Sequence, residues 1–220
     1  MKKIILQGLV MFSLLFLIVS FLQASSIIAY QVPTGTVGNQ NWGGSLGMDF
    51  NVNQNIRILS LGAFDSGSNG LSRQITVRLY NRVNQFLLSE SIFNIGNTGI
   101  LDGGSRFLDL AIPLTLQSGF QGSIVAFGYG SGEPNGNKGF FGNWFTNDGG
   151  GLLSFVGSGR YSGSTNFPTI IDGGPPDRYA AGTFKYEADT TPIPEPSTVM
   201  LIGICLVGLG AVNMRRKSKK

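Results

Sequence analysis

Histidine is absent from this 220-residue chain and cysteine occurs once, as Cys205, so the side chains behind most nucleophilic and metal chemistry are missing. Without histidine the commonest general base is gone, and with it the Ser/His/Asp and Cys/His nucleophile arrangements. A single cysteine closes no intrachain disulfide and builds no cysteine-based zinc site. A folded domain here must rely on its apolar core. Charge is also scarce: Asp, Glu, Lys and Arg make up 13% of the residues, against roughly a quarter in an ordinary globular protein.

What charge there is sits unevenly. The net charge of +4 comes from the ends: Lys2 and Lys3 open the chain, Arg215, Arg216, Lys217, Lys219 and Lys220 close it, and the stretch between is slightly acidic. The basic ends therefore read as targeting segments, and no electrostatic footprint for nucleic acid remains. Glycine, by contrast, is abundant, with 33 residues, about twice its usual share. Such a chain is turn-rich rather than helix-rich.

Behind Lys2 and Lys3 runs an apolar stretch from Ile4 to Leu22, interrupted at Gln7 and Gly8 and followed by the small residues Ala24, Ser25 and Ser26. That order predicts a Sec-type signal peptide handled by the Sec translocon. Two cuts fit: after Ser26, where Ala24 and Ser26 form a small-x-small pattern, or after Ala29, with Ile27 at the third position before the cut. The signal segment is taken as 1–29, which leaves 30–190 as the extracytoplasmic domain and 191–220 as the tail. An uncleaved anchor is the alternative, against which stands the short uninterrupted run from Leu9.

In the tail, Thr191-Pro192-Ile193-Pro194-Glu195-Pro196-Ser197-Thr198 leads into an apolar run from Val199 to Val212 and a basic end, Arg215-Arg216-Lys217-Ser218-Lys219-Lys220. Proline-rich backbone cannot enter a helix, so Pro192 to Pro196 makes a stiff extended spacer. The apolar run reaches only the lower limit for spanning the inner membrane, so Arg215, Arg216 and Lys217 would mark its inner boundary. Basic residues at both ends obey the positive-inside bias and put the middle of the chain outside.

The order of Pro194-Glu195-Pro196, short apolar helix and basic terminus resembles the PEP-CTERM sorting signal. That resemblance covers about the last 30 residues. It implies recognition and processing by an exosortase-type enzyme in a Gram-negative envelope, membrane anchoring before processing, and then release to the cell surface or extracellular matrix in a setting of biofilm and exopolysaccharide. Cys205, within the apolar run, reads as a small apolar filler.

Between the ends the apolar pattern has period two. Met48, Phe50 and Val52 alternate with Gly47, Asp49 and Asn51, and Ile75, Val77 and Leu79 alternate with Gln74, Thr76, Arg78 and Tyr80, which predicts half-buried strands. Further strands are predicted at 57–64, 86–93, 105–112, 123–129, 152–156 and 182–188. Turn clusters separate them, among them Asp65-Ser66-Gly67-Ser68-Asn69-Gly70, Asn97-Thr98-Gly99 and Asp102-Gly103-Gly104. About eight such strands predict an all-β fold, an antiparallel β-sandwich with a jelly-roll-like arrangement, flanked by a signal helix and a C-terminal transmembrane helix. Gly47-Met48-Asp49-Phe50, Leu61-Gly62-Ala63-Phe64-Asp65 and Ala126-Phe127-Gly128-Tyr129-Gly130 resemble a recurrent module of exported bacterial proteins, one that brings no activity with it.

Candidate sites are few. The stretch 128–151 is rich in Gly and Asn and carries Phe140, Phe141, Trp144 and Phe145; loops of that length are often functional. Aromatic faces beside amides and carboxylates suit sugars, so Trp42, Tyr129 and Trp144 are candidate carbohydrate contacts, against the alternative that these rings anchor the loop to the core. Asp65 and Asn69 are weak candidates for a cation, because the loop lacks a side-chain ligand at Gly67 and a bidentate Glu; a hairpin turn is the plainer reading. Glu133-Pro134-Asn135-Gly136-Asn137 is a similar oxygen-rich loop. Gly128 to Glu133 lacks the last glycine and the helix of a dinucleotide loop, and no cofactor is expected. The expectation is a non-enzymatic structural or interaction protein. The alternatives are a polysaccharide-binding module and a glycoside-active enzyme using a pair from Asp102, Asp109, Glu133, Asp148 and Asp172.

Overall fold

The computed structural model describes residues 26–189, and all its regular elements are β-strands. The transmembrane helix expected within 191–220, and the signal helix expected within 1–29 apart from its last four residues, lie outside the described residues.

Strands β1 (Ile27–Ile28) and β2 (Tyr30–Gln31) lead into β3 (Ser45–Val52), β4 (Ile56–Phe64), β5 (Ile75–Asn81) and β6 (Leu87–Phe93). The short β7 (Ile100–Asp102) turns back as β8 (Ser105–Leu116), which is followed by β9 (Gln121–Phe127). Two-residue strands β10 (Gly136–Asn137) and β11 (Phe145–Thr146) precede β12 (Leu153–Ser162), β13 (Ile170–Ile171), β14 (Tyr179–Ala180) and β15 (Gly182–Ala188). One sheet has the order β1-β15-β4-β8-β7 and the other β13-β12-β3-β9-β5-β6; β10 pairs with β14, and β11 with β2. Every pairing is antiparallel. The hairpin β5·β6 nests inside the pair β4·β8, which nests inside β3·β9.

Each of the eight strands predicted from alternation is present, and several run further. β8 reaches Leu116 instead of stopping near 112, and β12 reaches Ser162 instead of 156. In β12 the ladder breaks between Val156 and Arg160, where Gly157 and Gly159 take φ of 65° and 133°, so a bulge hides the second half of the strand from a period-two reading. The 128–151 stretch, expected to lack secondary structure, is interrupted by β10 and β11.

The two large sheets share one core. From the six-stranded sheet come Leu46, Met48, Phe50, Val52, Ile75, Val77, Leu79, Ile124 and Ala126; from the five-stranded sheet come Ile56, Ile58, Leu61, Ala63, Phe184 and Tyr186, all buried. In β4 the inward positions change from even to odd numbers between Ile58 and Leu61, and a register shift lies between Ile58 and Ser60. The bulge resets which face each side chain meets, so the strand keeps apolar groups inward along its whole length. Across the core the Phe50 and Phe184 rings pack 4.8 Å apart. Phe50 has room because its cross-strand partner is Gly122.

Registers also fix the poles of the domain. Ile27 lies opposite Tyr186, and Ala188 opposite Ile56, so the chain enters and leaves the described domain at one pole. Val52 and Ile56 are joined there by a short turn, whereas Ser45, Phe64, Ser162 and Gly182 mark the other pole, one strand length away and roughly 25 Å at about 3.3 Å per residue.

A Cβ on Gly122 would sit 2.3 Å from the Phe50 ring, which the core holds in place. Gly122→Ala is therefore expected to lower stability by about 1–3 kcal/mol. Urea unfolding monitored by fluorescence measures it; an unchanged midpoint would mean that Phe50 does not fill this space.

A candidate ligand cleft at the far pole

At the pole remote from the chain ends a cleft of about 280 Å³ opens among Gln40, Trp42, Tyr161, Asp172, Arg178 and Tyr179, with Leu46 at its base. It lies near the lower end of ligand-site sizes, about 300 Å³. Its aromatic wall is built by pairing: Tyr161, next to last in β12, lies opposite Leu46 of β3, and Trp42, just ahead of β3, meets the Tyr161 ring edge-on at 5.8 Å and 86°. The Trp42 indole N–H donates to the Ser162 carbonyl at 3.2 Å, which fixes the ring while leaving it half-buried.

Its polar wall is a network. The Asp172 carboxylate accepts from Arg178 Nη1, from the Tyr179 hydroxyl and from the Gly174 N–H, the last at 2.8 Å. Arg178 Nε donates to Asn137 Oδ1 at 2.9 Å, tying the wall to β10. Burial pushes the Asp172 carboxyl up, but the donors from Tyr179, Gly174 and Arg178 outweigh it and hold the group below the usual carboxylate range. Tyr179 moves the other way: burial, and then the hydrogen bond and charge of Asp172, push its phenol far up. The cleft thus offers a held carboxylate, a guanidinium already matched in charge, an amide and two ring surfaces.

The residues singled out from the sequence distribute unevenly around it. Trp42 lines the cleft. Tyr129 does not: it is 1% exposed and its hydroxyl donates to the carbonyls of Phe64 and Ala181. Trp144 is 4% exposed and donates its indole N–H to the Asp177 carbonyl at 3.0 Å. Tyr129 is thus sealed in the core, whereas the largely buried Trp144 ring lines a separate cavity with Val37 and Phe141. Phe140, Phe141 and Phe145 are the exposed rings of the 128–151 stretch.

Asp65 and Asn69, the weak cation candidates, meet as a turn. Asp65 is fully buried; its carboxylate accepts the N–H groups of Asn69 and Gly70 and the Arg106 guanidinium, the last at 2.6 Å. Asn69 contributes its backbone, not a side-chain oxygen. Glu133 spans the same loop, its two oxygens accepting from Ser66 N–H and Ser72 N–H at 2.7 Å each. Burial raises the Glu133 carboxyl above its ordinary range, the two N–H donors notwithstanding. Among the described residues no three His, Cys, Asp or Glu side chains come together as a metal cage. Pro194, Glu195 and Pro196, and Arg215, Arg216 and Lys217, lie outside the described residues.

Sequence reasoning missed Tyr161, Arg178 and Tyr179, and held Asp172 only as one of five carboxylates. Tyr161 was hidden by the β12 bulge. Arg178 and Tyr179 follow the turn-rich run Gly173-Gly174-Pro175-Pro176-Asp177, where composition reports a loop but not what the loop faces.

The depressed folded value of Asp172 makes a pH prediction with a definite sign. Its stabilising contribution is present above about pH 4, the ordinary carboxylate range, and is lost as pH falls through the folded value. Unfolding midpoints measured between about pH 2 and 5 should fall less steeply on acidification in Asp172→Asn than in the wild type; parallel curves would contradict the network.

No curated protein sequence matches the chain. Residues 192–217, which contain Pro194, Glu195 and Pro196 as well as Arg215, Arg216 and Lys217, match the family described as PEP-CTERM protein-sorting motif. The chain is thus a protein bearing a PEP-CTERM sorting motif, which implies export and recognition of its tail by exosortase.

Proposed function

We propose that this is a non-enzymatic surface or extracellular-matrix protein, held at the membrane by its tail until exosortase removes it, with a jelly-roll-like β-sandwich as its working domain. The observation that carries this reading is topological. The strands β1 and β15, which join the domain to the two ends of the chain, exit at one pole, and the cleft opens at the other. Within the described domain the cleft thus opens one strand length from the point where β15 ends. The nested strand pairs support the jelly-roll-like description.

Within this role the cleft favours a saccharide. A sugar stacks its C–H face on an aromatic ring while carboxylate and amide meet its hydroxyls, and Trp42, Tyr161, Asp172 and Gln40 supply those groups around one space. Glycoside hydrolysis needs two carboxylates across the bond. Of the five candidate carboxylates the cleft is lined by Asp172 alone, a separate cavity beside Tyr30 by Asp102 alone, Glu133 is buried in its loop, and Asp109 and Asp148 are exposed, which speaks for binding without turnover.

Two measurements test these readings. In a host with exosortase the exported wild type should lose mass corresponding to its tail, while Glu195→Ala, or deletion of the exosortase gene, should leave the full-length tail on a membrane-bound form; an intact tail in the wild type would refute the sorting role. On a glycan array, binding should drop at least about tenfold in Trp42→Ala, a loss of roughly 1.4 kcal/mol, and persist in Phe141→Ala. No binding by the wild type would refute the saccharide reading and leave the sorting role standing.

A further inference from the structure

The first five described residues after Ser26 are built into the domain. Ile27 pairs with Tyr186 and Ile28 with Lys185 along the edge of the five-stranded sheet. Ala29 is fully buried; its N–H donates to the Phe184 carbonyl at 3.0 Å, and its carbonyl accepts from Asn147 N–H at 2.9 Å. Tyr30 donates its N–H to Thr183 Oγ1 and its hydroxyl to the Asp49 carbonyl, both at 3.1 Å, and Gln31 pairs with Phe145. Ser26, immediately before this run, is exposed.

From this geometry we infer that signal cleavage falls between Ser26 and Ile27, not after Ala29, so that the mature protein begins with β1. The inference rests on the reading of the N-terminal segment as a cleaved signal peptide. Hydrolysis breaks the Ser26–Ile27 C–N bond; water gives its hydroxyl to the Ser26 carbonyl carbon and a proton to the Ile27 nitrogen, leaving a carboxylate and a free amine.

Two independent considerations agree. A cut after Ala29 would strip the buried Ile28 and Ala29, leave the Asn147 N–H and the Phe184 carbonyl without the partners they have here, and turn β15 into an open sheet edge. Recognition also favours the earlier bond. Small side chains are wanted one and three positions before the cut, and Ser26 and Ala24 supply both, whereas the later bond would put Ile27 at the third position.

The test is the N-terminus of the full chain expressed in an exporting Gram-negative host, read by N-terminal sequencing and intact mass. A mature form starting at Ile27 is expected. A start at Tyr30 overturns the inference but leaves the signal peptide in place; a start at Met1 overturns the signal peptide reading itself. As a second arm, Ala24→Lys removes the small residue at the third position before the proposed cut but lies outside the residues that direct a cut after Ala29. It should accumulate a membrane-tethered, externally protease-accessible precursor at least tenfold over the wild type; normal maturation of this variant would overturn the inference.

Discussion

The domain depends on one constraint: with no cysteine between residues 26 and 189, both sheets must bury a continuous apolar layer against each other. The Phe50–Phe184 contact lies at the middle of that layer, joining β3 of one sheet to β15 of the other. Everything around it serves to keep large side chains inward. Gly122 makes space for Phe50, the β4 bulge switches the inward parity, and Tyr186 continues the aromatic row beside Phe184, with ring centroids 5.7 Å apart. A core that sets strand register in this way also sets where the loops emerge, and so where a site can form.

At the far pole the apolar layer gives way to buried carboxylates, each of which would be costly without donors. Asp65 and Glu133 solve this by gathering backbone N–H groups from residues 66 to 72 and the Arg106 guanidinium, which in turn donates to Asn97. The loop conformation is thereby dictated by the need to satisfy two buried acids. Replacing a buried ion pair by apolar groups is often neutral for stability, so the pair is better understood as fixing one loop geometry than as strengthening the fold.

How much of this could be read from the residues follows from the same physics. Alternation is a local signal, so the eight long strands were legible from Met48-x-Phe50-x-Val52 and its counterparts. Bulges and two-residue strands are not local: β10, β11 and β14 exist because a distant strand offers partners, and Tyr161 is cut off from the apolar alternation of Leu153 and Phe155 by Gly157 and Gly159, where the β12 ladder shifts. For the aromatic rings, composition does not say which are accessible. Trp42, Tyr129 and Trp144 look alike in sequence, and only the fold separates the half-buried Trp42 from Tyr129 and Trp144, which are 1% and 4% exposed. The tail was legible outright because its motif is contiguous.

The scarcity of charge bears on what the cleft can hold. Of the domain's cations, Arg57, Arg78, Arg82, Arg106, Arg160, Arg178 and Lys185 each pair with a carboxylate. Arg73 donates to the Gly128 carbonyl, and Lys138 lies 6.0 Å over the Trp144 ring. In the cleft a polyanion would have to break the Arg178–Asp172 pair to gain a contact, and it would meet Asp172 at close range. A neutral ligand asks for no such exchange, because it needs ring surface and hydroxyl partners and no net field. If the cleft binds a polysaccharide, its chemistry therefore selects uncharged units over acidic ones, and salt should have little effect on the affinity.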